Sequence, residues 1–292
     1  MAQSLRYINP KNAAVVFCDD PPFLFNKITG IGQMDAQLMT SEPAGLDGSA
    51  FNGLYISPRE VTVTMHIEGN KRKGMYEEKM KLSAVMSPEL HKNGALGRLE
   101  YTNDYGSWWI PAAVKRGPQG ASRAGNFLIN EQLVFYCPSP YWRGFSYNRV
   151  RMAYLGGGLR FPVRFGTVKF GAHAYKASLF NLGNQPSPLE ISITGPAVAP
   201  RITKASTGEY ILLREDKALI EGDILYINTT PGDVAVTIKH ANGQSEEAIG
   251  YINLSSKLFL LDPGENVLQY GSADDTQTSV INMATQPWFG GV

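Results

Sequence analysis

Hydrophobic and polar positions alternate in short runs along most of the chain, and this period of two predicts β-strands. Residues 61–67 (VTVTMHI) form the clearest run, in which β-branched residues alternate with other types. Residues 127–137 predict a longer strand that ends at Pro138. Residues 96–114 predict a hairpin whose turn lies at residues 103–106. The first half of the chain is therefore expected to be rich in strands.

Residues 75–86 change period and predict the only helix of the chain. Tyr76, Met80 and Ala84 recur at i, i+4 and i+8, which places them on one face. Pro88 is expected to stop the helix. Because methionine is flexible and fills irregular gaps, we interpret the methionines of this helix as packing residues.

After residue 180 the pattern consists entirely of short strands and turns. Five strands are predicted, at residues 189–194, 210–213, 224–228, 234–239 and 258–261. Turn signals rich in Gly, Pro, Asn and Asp separate them at regular intervals, a spacing typical of a β-sandwich. The fold class is therefore mainly β, with one helix in the first half of the chain.

Residues 132–189 contain seven basic residues, many aromatic residues and no acidic residue, with Gly156–Gly158 in the middle. Such a stretch is compatible with a track for single-stranded nucleic acid. We favour an extended connector, because the rest of the chain nearly cancels the positive charge. The sequence thus predicts an N-terminal domain at 1–145, a connector at 146–179 and a C-terminal domain at 180–292.

Composition limits the class of protein. The chain has 292 residues, a formal net charge of +1, 30 Gly, 18 Pro and two Cys. This length favours two domains, and the balanced charge argues against a dedicated binder of nucleic acid or of an anionic surface. Two cysteines are too few for a disulfide scaffold or a thiolate metal site. With no leader pattern and no long apolar run, we expect a soluble protein made in the cytoplasm, without membrane contact.

A search for catalytic or metal-binding motifs gives no candidate. The four histidines have no ligand-like spacing with other histidines, cysteines or carboxylates, and the sequence contains no HExxH, GxSxG or GxxxxGK[ST] motif. Its carboxylate doublets are adjacent residues, which point to opposite faces of a strand. We therefore predict a protein that is not an enzyme and that has no cofactor and no metal.

The order of segments across nearly the whole chain resembles the distal tail protein family of siphophage tails and related tail-like particles. In the N-terminal half the resemblance rests on residues 43–48 (PAGLDG), 57–63 (SPREVTV), 85–88 (VMSP), 96–101 (LGRLEY) and 133–142 (LVFYCPSPYW). In the C-terminal half it rests on residues 157–165 (GGLRFPVRF), 180–184 (FNLGN), 188–195 (PLEISITG), 200–202 (PRI), 207–211 (TGEYI) and 221–227 (EGDILYI). The aromatic end of the chain, residues 275–292, matches no part of the family pattern.

The resemblance implies a fold and a structural function. The implied fold is an N-terminal β-sandwich-like domain with one helix, followed by a galectin-like β-sandwich. The implied function is that of a hub at the tip of a phage tail, where six copies form a ring below the tail tube protein. The ring would surround a channel for tape-measure protein and DNA, and the C-terminal domains would hold tip, receptor-binding or baseplate proteins.

The hairpin at residues 96–114 supplies candidate residues for contacts within such a ring. Tyr101, Tyr105, Trp108 and Trp109 lie on it, and tyrosine and tryptophan are enriched at binding hot spots. The alternative for these residues is that half of them face their own core. The alternative for the whole protein is a carbohydrate-binding β-sandwich, for which the C-terminal domain offers one tryptophan, Trp288, and one histidine, His240.

Overall fold

A computed structural model of the chain describes residues 3–42, 44–45, 47–120, 122–153, 175–273 and 279–292. The chain divides into two units. Unit 1 consists of residues 1–145 together with 289–292, and unit 2 consists of residues 146–288. The Gly156–Gly158 break and most of the predicted connector lie outside the described residues.

Unit 1 is an antiparallel β-structure with one α-helix among its described residues. Its elements are β1 (Ser4–Ile8), β2 (Ala14–Phe17), β3 (Phe23–Thr29), β4 (Ala36–Ser41), β5 (Ala50–Ile56), β6 (Arg59–Glu68), α1 (Arg72–Val85), a 3₁₀ turn (Pro88–His91), β7 (Gly97–Thr102), β8 (Ser107–Arg116), β9 (Arg123–Ala124), β10 (Phe127–Cys137) and β11 (Trp142–Gly144). The predicted strands at 61–67 and 127–137 and the predicted hairpin are confirmed.

All described strands of unit 1 except β4 and β5 form one sheet, in the order β2-β1-β7-β8-β10-β6-β3, with β9 beside β10 and β11 beside β8. Strand β6 illustrates how the strands of this sheet supply residues to the core. Its residues Val61, Val63, Met65 and Ile67 are fully buried, whereas the residues between them are more exposed. This alternation supplies one face of the unit's core. Strands β4 and β5 pair only with each other and form a separate two-stranded hairpin.

Helix α1 packs on the core through a different face from the one that the sequence predicted. Met75 and Leu82 are buried, and Met86 is buried directly after the helix. Met80 is 70% exposed and Tyr76 is also exposed. The predicted face of Tyr76, Met80 and Ala84 therefore does not pack on the core. Met75 and Leu82, which lie two turns apart, form the buried face instead.

Unit 2 contains two antiparallel sheets. Its strands are β12 (Asn148–Ala153), β13 (Tyr175–Asn181), β14 (Leu189–Thr194), β15 (Arg201–Lys204), β16 (Tyr210–Leu212), β17 (Ile224–Asn228), β18 (Ala235–Lys239), β19 (Ser245–Glu247), β20 (Gly264–Gly271) and β21 (Val280–Thr285), with a 3₁₀ turn at Ile249–Tyr251. One sheet has the order β12-β21-β14-β17-β18-β19 and the other β13-β20-β15-β16. Both contribute to one apolar core, so the unit is a β-sandwich.

Several predictions for the second half of the chain need correction. Residues 148–153 and 175–179, predicted as connector, are strands of the sandwich. In β12 the basic residues Arg149 and Arg151 are exposed while Met152 is buried, so the basic stretch includes an amphipathic strand. Residues 258–261 are not a strand, and Leu261 forms only an isolated bridge with Ser187.

Arg59, the first residue of β6, is a buried cation that binds four backbone carbonyl groups of unit 1. Its guanidinium donates hydrogen bonds to the carbonyl oxygens of Gly30 (2.6 Å), Gly32 (2.7 Å), Pro140 (3.0 Å) and Gly290 (2.5 Å). Only 6% of Arg59 is exposed, and burial lowers its pKa from the ordinary arginine value. Arginine still remains protonated, so each carbonyl receives a charge-assisted bond.

The last residues of the chain, 289–292, are part of unit 1 and not of the C-terminal sandwich in which they were predicted. Phe289 and Val292 pack against the unit 1 core, and the Val292 amide donates to the carbonyl of Ile31. A Cβ atom on Gly291 would lie 2.6 Å from the carbonyl carbon of Gly32, so this close approach requires glycine. The aromatic end thus completes the N-terminal unit.

His240 in unit 2 lies between two carboxylates. Its Nδ1 is 3.1 Å from Asp223 Oδ1, and its Nε2 is 3.1 Å from Glu246 Oε2. Tyr251 donates a hydrogen bond to Glu246 as well. The hydrogen bond with Glu246, followed by that with Asp223, raises the pKa of His240 above its usual value. Through these hydrogen bonds His240, which directly follows β18, links the turn before β17 to strand β19.

Replacing Arg59 with methionine is expected to destabilise unit 1. Arg59→Met leaves four carbonyl groups without their donor, and we expect the free energy of unfolding to fall by about 3 kcal/mol or more. Urea unfolding followed by tryptophan fluorescence measures the effect. The matched control is Arg116→Met, an exposed arginine of the same unit, which should change stability by about 0.5 kcal/mol or less. Equal unfolding midpoints for the two variants would contradict this account.

The stability of unit 2 is expected to depend on pH through His240. Because its pKa is raised by folding, its contribution to stability is complete below the unfolded pKa of about 6.5 and is lost as pH rises through the folded pKa. The difference in melting temperature between the wild type and His240→Gln should therefore shrink as pH increases, measured by scanning calorimetry. A difference that is constant across this range would show that proton binding is not involved.

Candidate functional site

The four aromatic residues proposed for ring contacts fall on two faces of the β7–β8 hairpin. Tyr101 and Trp108 are directly opposite each other in the register, and both are buried in the unit 1 core. Their rings are 6.4 Å apart, and Trp108 also meets Phe289 edge-on at 6.2 Å. The prediction that Tyr101 and Trp108 contact a neighbouring copy at the surface is therefore wrong. Side chains alternate between the two faces of paired strands, and these two point into the core.

The other two aromatic residues remain at the surface. Tyr105, at the turn, is 91% exposed, although its ring stacks at 6.1 Å on that of Trp108. Trp109 is half-buried on the outward face of β8. The guanidinium of Arg143 lies 4.9 Å from its ring centre and that of Arg98 lies 5.9 Å away. These cation–π contacts hold the indole in place on a positively charged surface.

The β4–β5 hairpin is the most exposed apolar feature of unit 1, and the sequence analysis missed it. All residues of β4 and most of β5 are exposed. They include five large hydrophobic residues: Leu38, Met39, Phe51, Leu54 and Tyr55. Leu38 lies directly opposite Leu54, so these side chains cluster across the strands. Between residues 28 and 58 the chain has three acidic residues and no basic residue.

Helix α1 presents a second exposed apolar stripe, made by Tyr76 and Met80. Its sequence contains four basic and two acidic residues, and the acidic Glu77 and Glu78 pair with Lys73 and Lys81. The helix surface is therefore apolar with a positive border, whereas the hairpin is apolar with a negative one. The two surfaces are complementary in charge.

The histidines with described positions serve structural contacts. His91 Nδ1 is 2.7 Å from the carbonyl of Ala95, and its Nε2 meets the Tyr7 hydroxyl and the Val114 amide, both at 3.1 Å. His66 Nδ1 accepts from the Asn130 amide. His173 lies outside the described residues. In the part of the chain that the structure describes, no three His, Cys, Asp or Glu residues are grouped to hold a metal ion.

Both cysteines, Cys18 and Cys137, are free thiols, and Cys137 is buried. Burial raises the pKa of the Cys137 thiol to about 12, so it is protonated and unreactive at neutral pH.

Among the described residues there is no helix with the length and apolarity needed to cross a membrane.

Comparisons with known proteins agree with the fold. Residues 182–282 match the family model described as siphovirus-type tail component, C-terminal domain. No curated protein matches the chain. The crystal structure of the Dit protein of phage SPP1, described as a hub adsorption apparatus in phages that infect Gram-positive bacteria, is similar with a TM-score of 0.64 and 12% identity. The match covers 98% of this chain and 99% of that one.

A second similar structure comes from the baseplate of phage P2 in its activated conformation with Ca, with a TM-score of 0.55 and 10% identity over the full length of both chains. The same baseplate with Sr matches equally well. At these identities the structural matches show a shared fold, while the family model adds a match in sequence. Residues 182–282 are therefore similar in sequence to siphovirus-type tail components, and the chain as a whole shares the fold of the Dit protein.

Proposed function

We propose that this protein is a component of the virion tail and forms, through unit 1, a ring of six copies that joins the tail tube to the tip of the tail. The match of residues 182–282 to a siphovirus-type tail component supports its place in the virion tail. The solved relatives are described as a hub and as part of a baseplate, which supports a role in assembly. The observation that carries the proposal is the exposed apolar β4–β5 hairpin.

The hairpin requires a partner for physical reasons. An isolated two-stranded hairpin is only marginally stable in water, and exposed large hydrophobic residues favour association. Leu38 and Leu54 form a cross-strand pair that nothing in unit 1 covers, since both are at least half exposed. We therefore expect this hairpin to be stabilised by packing against another surface.

A second copy of the chain offers a matching surface. The acidic, apolar hairpin of one copy fits the basic, apolar stripe around Tyr76 and Met80 of the next. Such a contact joins two different patches, and repeating it produces either a closed ring or an open filament. A closed ring covers both patches of every copy, whereas a filament leaves them uncovered at its ends, so we favour a ring. The number of six copies is what the family resemblance implies.

The outward face of the β7–β8 hairpin supplies a second contact in the ring. Trp109, fixed between Arg98 and Arg143, and the exposed Tyr105 are the candidates that remain there. Aromatic residues and arginine dominate binding energy at protein interfaces. The ring would stack on the tail tube protein and surround a channel for tape-measure protein and DNA. Tip, receptor-binding or baseplate proteins would bind to unit 2.

The hairpin contact is tested by the double variant Phe51→Ser/Leu54→Ser. Each buried apolar anchor is worth about 2 kcal/mol at an interface, so we expect the loss of both to lower the association constant roughly 1,000-fold. Native mass spectrometry measures the fraction of hexamer. The matched control is Leu182→Ser/Leu254→Ser, which alters two exposed leucines of unit 2 and should leave the hexamer intact. Persistence of the hexamer in the hairpin variant would overturn this contact.

The two adjacent tryptophans should respond differently to truncation. Trp108→Ala removes a core side chain and should destabilise the monomer by about 3–5 kcal/mol. Trp109→Ala removes an outward residue, so it should weaken the hexamer while changing the melting temperature much less. Thermal melting and native mass spectrometry on both single variants separate these effects. A Trp109→Ala protein with a normal hexamer would remove Trp109 from the interface.

A further inference from the structure

The six-stranded sheet of unit 2 has an outer face whose side chains form rows across the strands. In the first row the register places Arg151 beside Asn282, Asn282 beside Ser192, Ser192 beside Tyr226 and Tyr226 beside Thr237. Along each strand, the residues directly before and after the member of this row mostly face the core, as Ile191 and Ile227 do. Five polar or aromatic side chains therefore stand next to one another on five strands.

The second row creates a groove. It runs through Arg149, Ala284, Glu190, Asn228 and Ala235 in the same register. Its two alanines are short, whereas the neighbouring arginines and Tyr226 are long, so a recess of about 580 Å³ lies between them. This volume is within the range of about 300–1,000 Å³ that is typical of small-molecule sites.

The groove combines hydrogen-bonding groups with an aromatic surface. Asn282 offers a donor and an acceptor, and its amide lies 3.3 Å from the Ser192 hydroxyl. The Asn228 amide already donates to the Asp233 carbonyl and accepts from the amide and hydroxyl of Thr230, which leaves one N–H for a ligand. The ring of Tyr226 is 43% exposed and can lie against the CH face of a ligand. The side chain of Arg151 forms no hydrogen bond or ion pair within the described part of the chain, so its guanidinium is available to an anion.

Arg149 is engaged differently from Arg151. Its guanidinium lies 5.1 Å from the ring centre of Tyr147, and its charge acts on Glu190. Desolvation raises the pKa of the Glu190 carboxyl, while a hydrogen bond from Tyr147 and the charge of Arg149 partly oppose this effect. Two arginines and one carboxylate leave the groove with a net positive charge, which is concentrated at Arg151.

We propose that this groove binds a short saccharide that carries a negatively charged group. Tyr226 packs against a sugar ring, the Asn282 amide and the remaining N–H of Asn228 bind its hydroxyl groups, and Arg151 binds the anionic group. The proposal goes beyond the ring and does not depend on it, because every residue involved belongs to unit 2. Neither Trp288, which is buried, nor His240, which is held by two carboxylates, lines the groove.

The lining favours a saccharide over other polymers. Peptides that extend a sheet bind to the backbone of an edge strand, whereas the side chains of the two rows stand on the face of the sheet. Val150, Ile191, Ile227 and Met283 also line the recess, and they provide apolar contacts beside the polar rows. Single-stranded nucleic acid needs a series of aromatic residues, and these rows contain only Tyr226. A saccharide presents alternating donors, acceptors and CH faces, which match the groups available here.

The test uses the full-length protein and a glycan array that contains neutral, carboxylated, sulfated and phosphorylated saccharides, with hits measured by calorimetry. We expect an anionic saccharide to bind with a dissociation constant below about 1 mM, and its neutral counterpart to bind roughly tenfold more weakly. Tyr226→Ala should weaken binding of both by about tenfold, whereas Arg151→Gln should remove the preference for the anionic form.

Matched controls separate the groove from the rest of the molecule. Lys239→Gln removes a positive charge from the same sheet outside the groove, and Phe180→Ala removes an exposed aromatic residue of the other sheet. Both should bind like the wild type, and all four variants should keep the wild-type melting temperature and oligomeric state. The proposal is overturned if no anionic saccharide binds, if neutral forms bind equally well, or if the groove variants bind like the controls.

Discussion

The four hydrogen bonds of Arg59 are the interaction on which unit 1 depends. The sheet strands satisfy their own backbone groups, but the segments around residues 30–32, 140 and 290 are irregular and bring carbonyl oxygens into a buried region. Buried carbonyl groups need donors, and a planar guanidinium can serve several at once. Because one of them belongs to Gly290, the same side chain ties the end of the chain to the unit that its first half builds.

The parts of the fold that sequence reasoning predicted correctly are those with a visible burial pattern. Strands β6, β10, β14 and β17 alternate, and their predicted limits agree with the structure to within two residues. The β4–β5 hairpin was missed because both of its faces are exposed, so no alternation marks it. Arg59 has no sequence signal either, since its partners are backbone carbonyls far away in the chain. The inward position of Trp108 was predictable, because adjacent residues of a strand face opposite sides.

The surfaces of the two units differ in chemistry, and this difference separates their roles. Unit 1 exposes apolar residues on two patches with opposite charges at their borders, the hairpin and the helix stripe. Two complementary patches on one chain favour contact between copies. The outer face of the large unit 2 sheet instead carries polar rows around a recess. Such a face offers hydrogen-bonding side chains, one exposed aromatic ring and a positive charge, so it suits a hydrophilic anionic ligand.

Multivalency would strengthen both the proposed ring and the proposed binding by unit 2. In a ring, the contact that closes the circle forms within one assembly, so each hairpin contact needs only moderate strength for the whole ring to be stable. The same reasoning applies to the groove. In the proposed ring, six copies would present six grooves at fixed spacing, and a surface that carries many identical saccharides would bind far more tightly to the ring than to a single groove. A small groove with one exposed tyrosine would therefore be adequate in such an assembly, although it would be weak in an isolated domain.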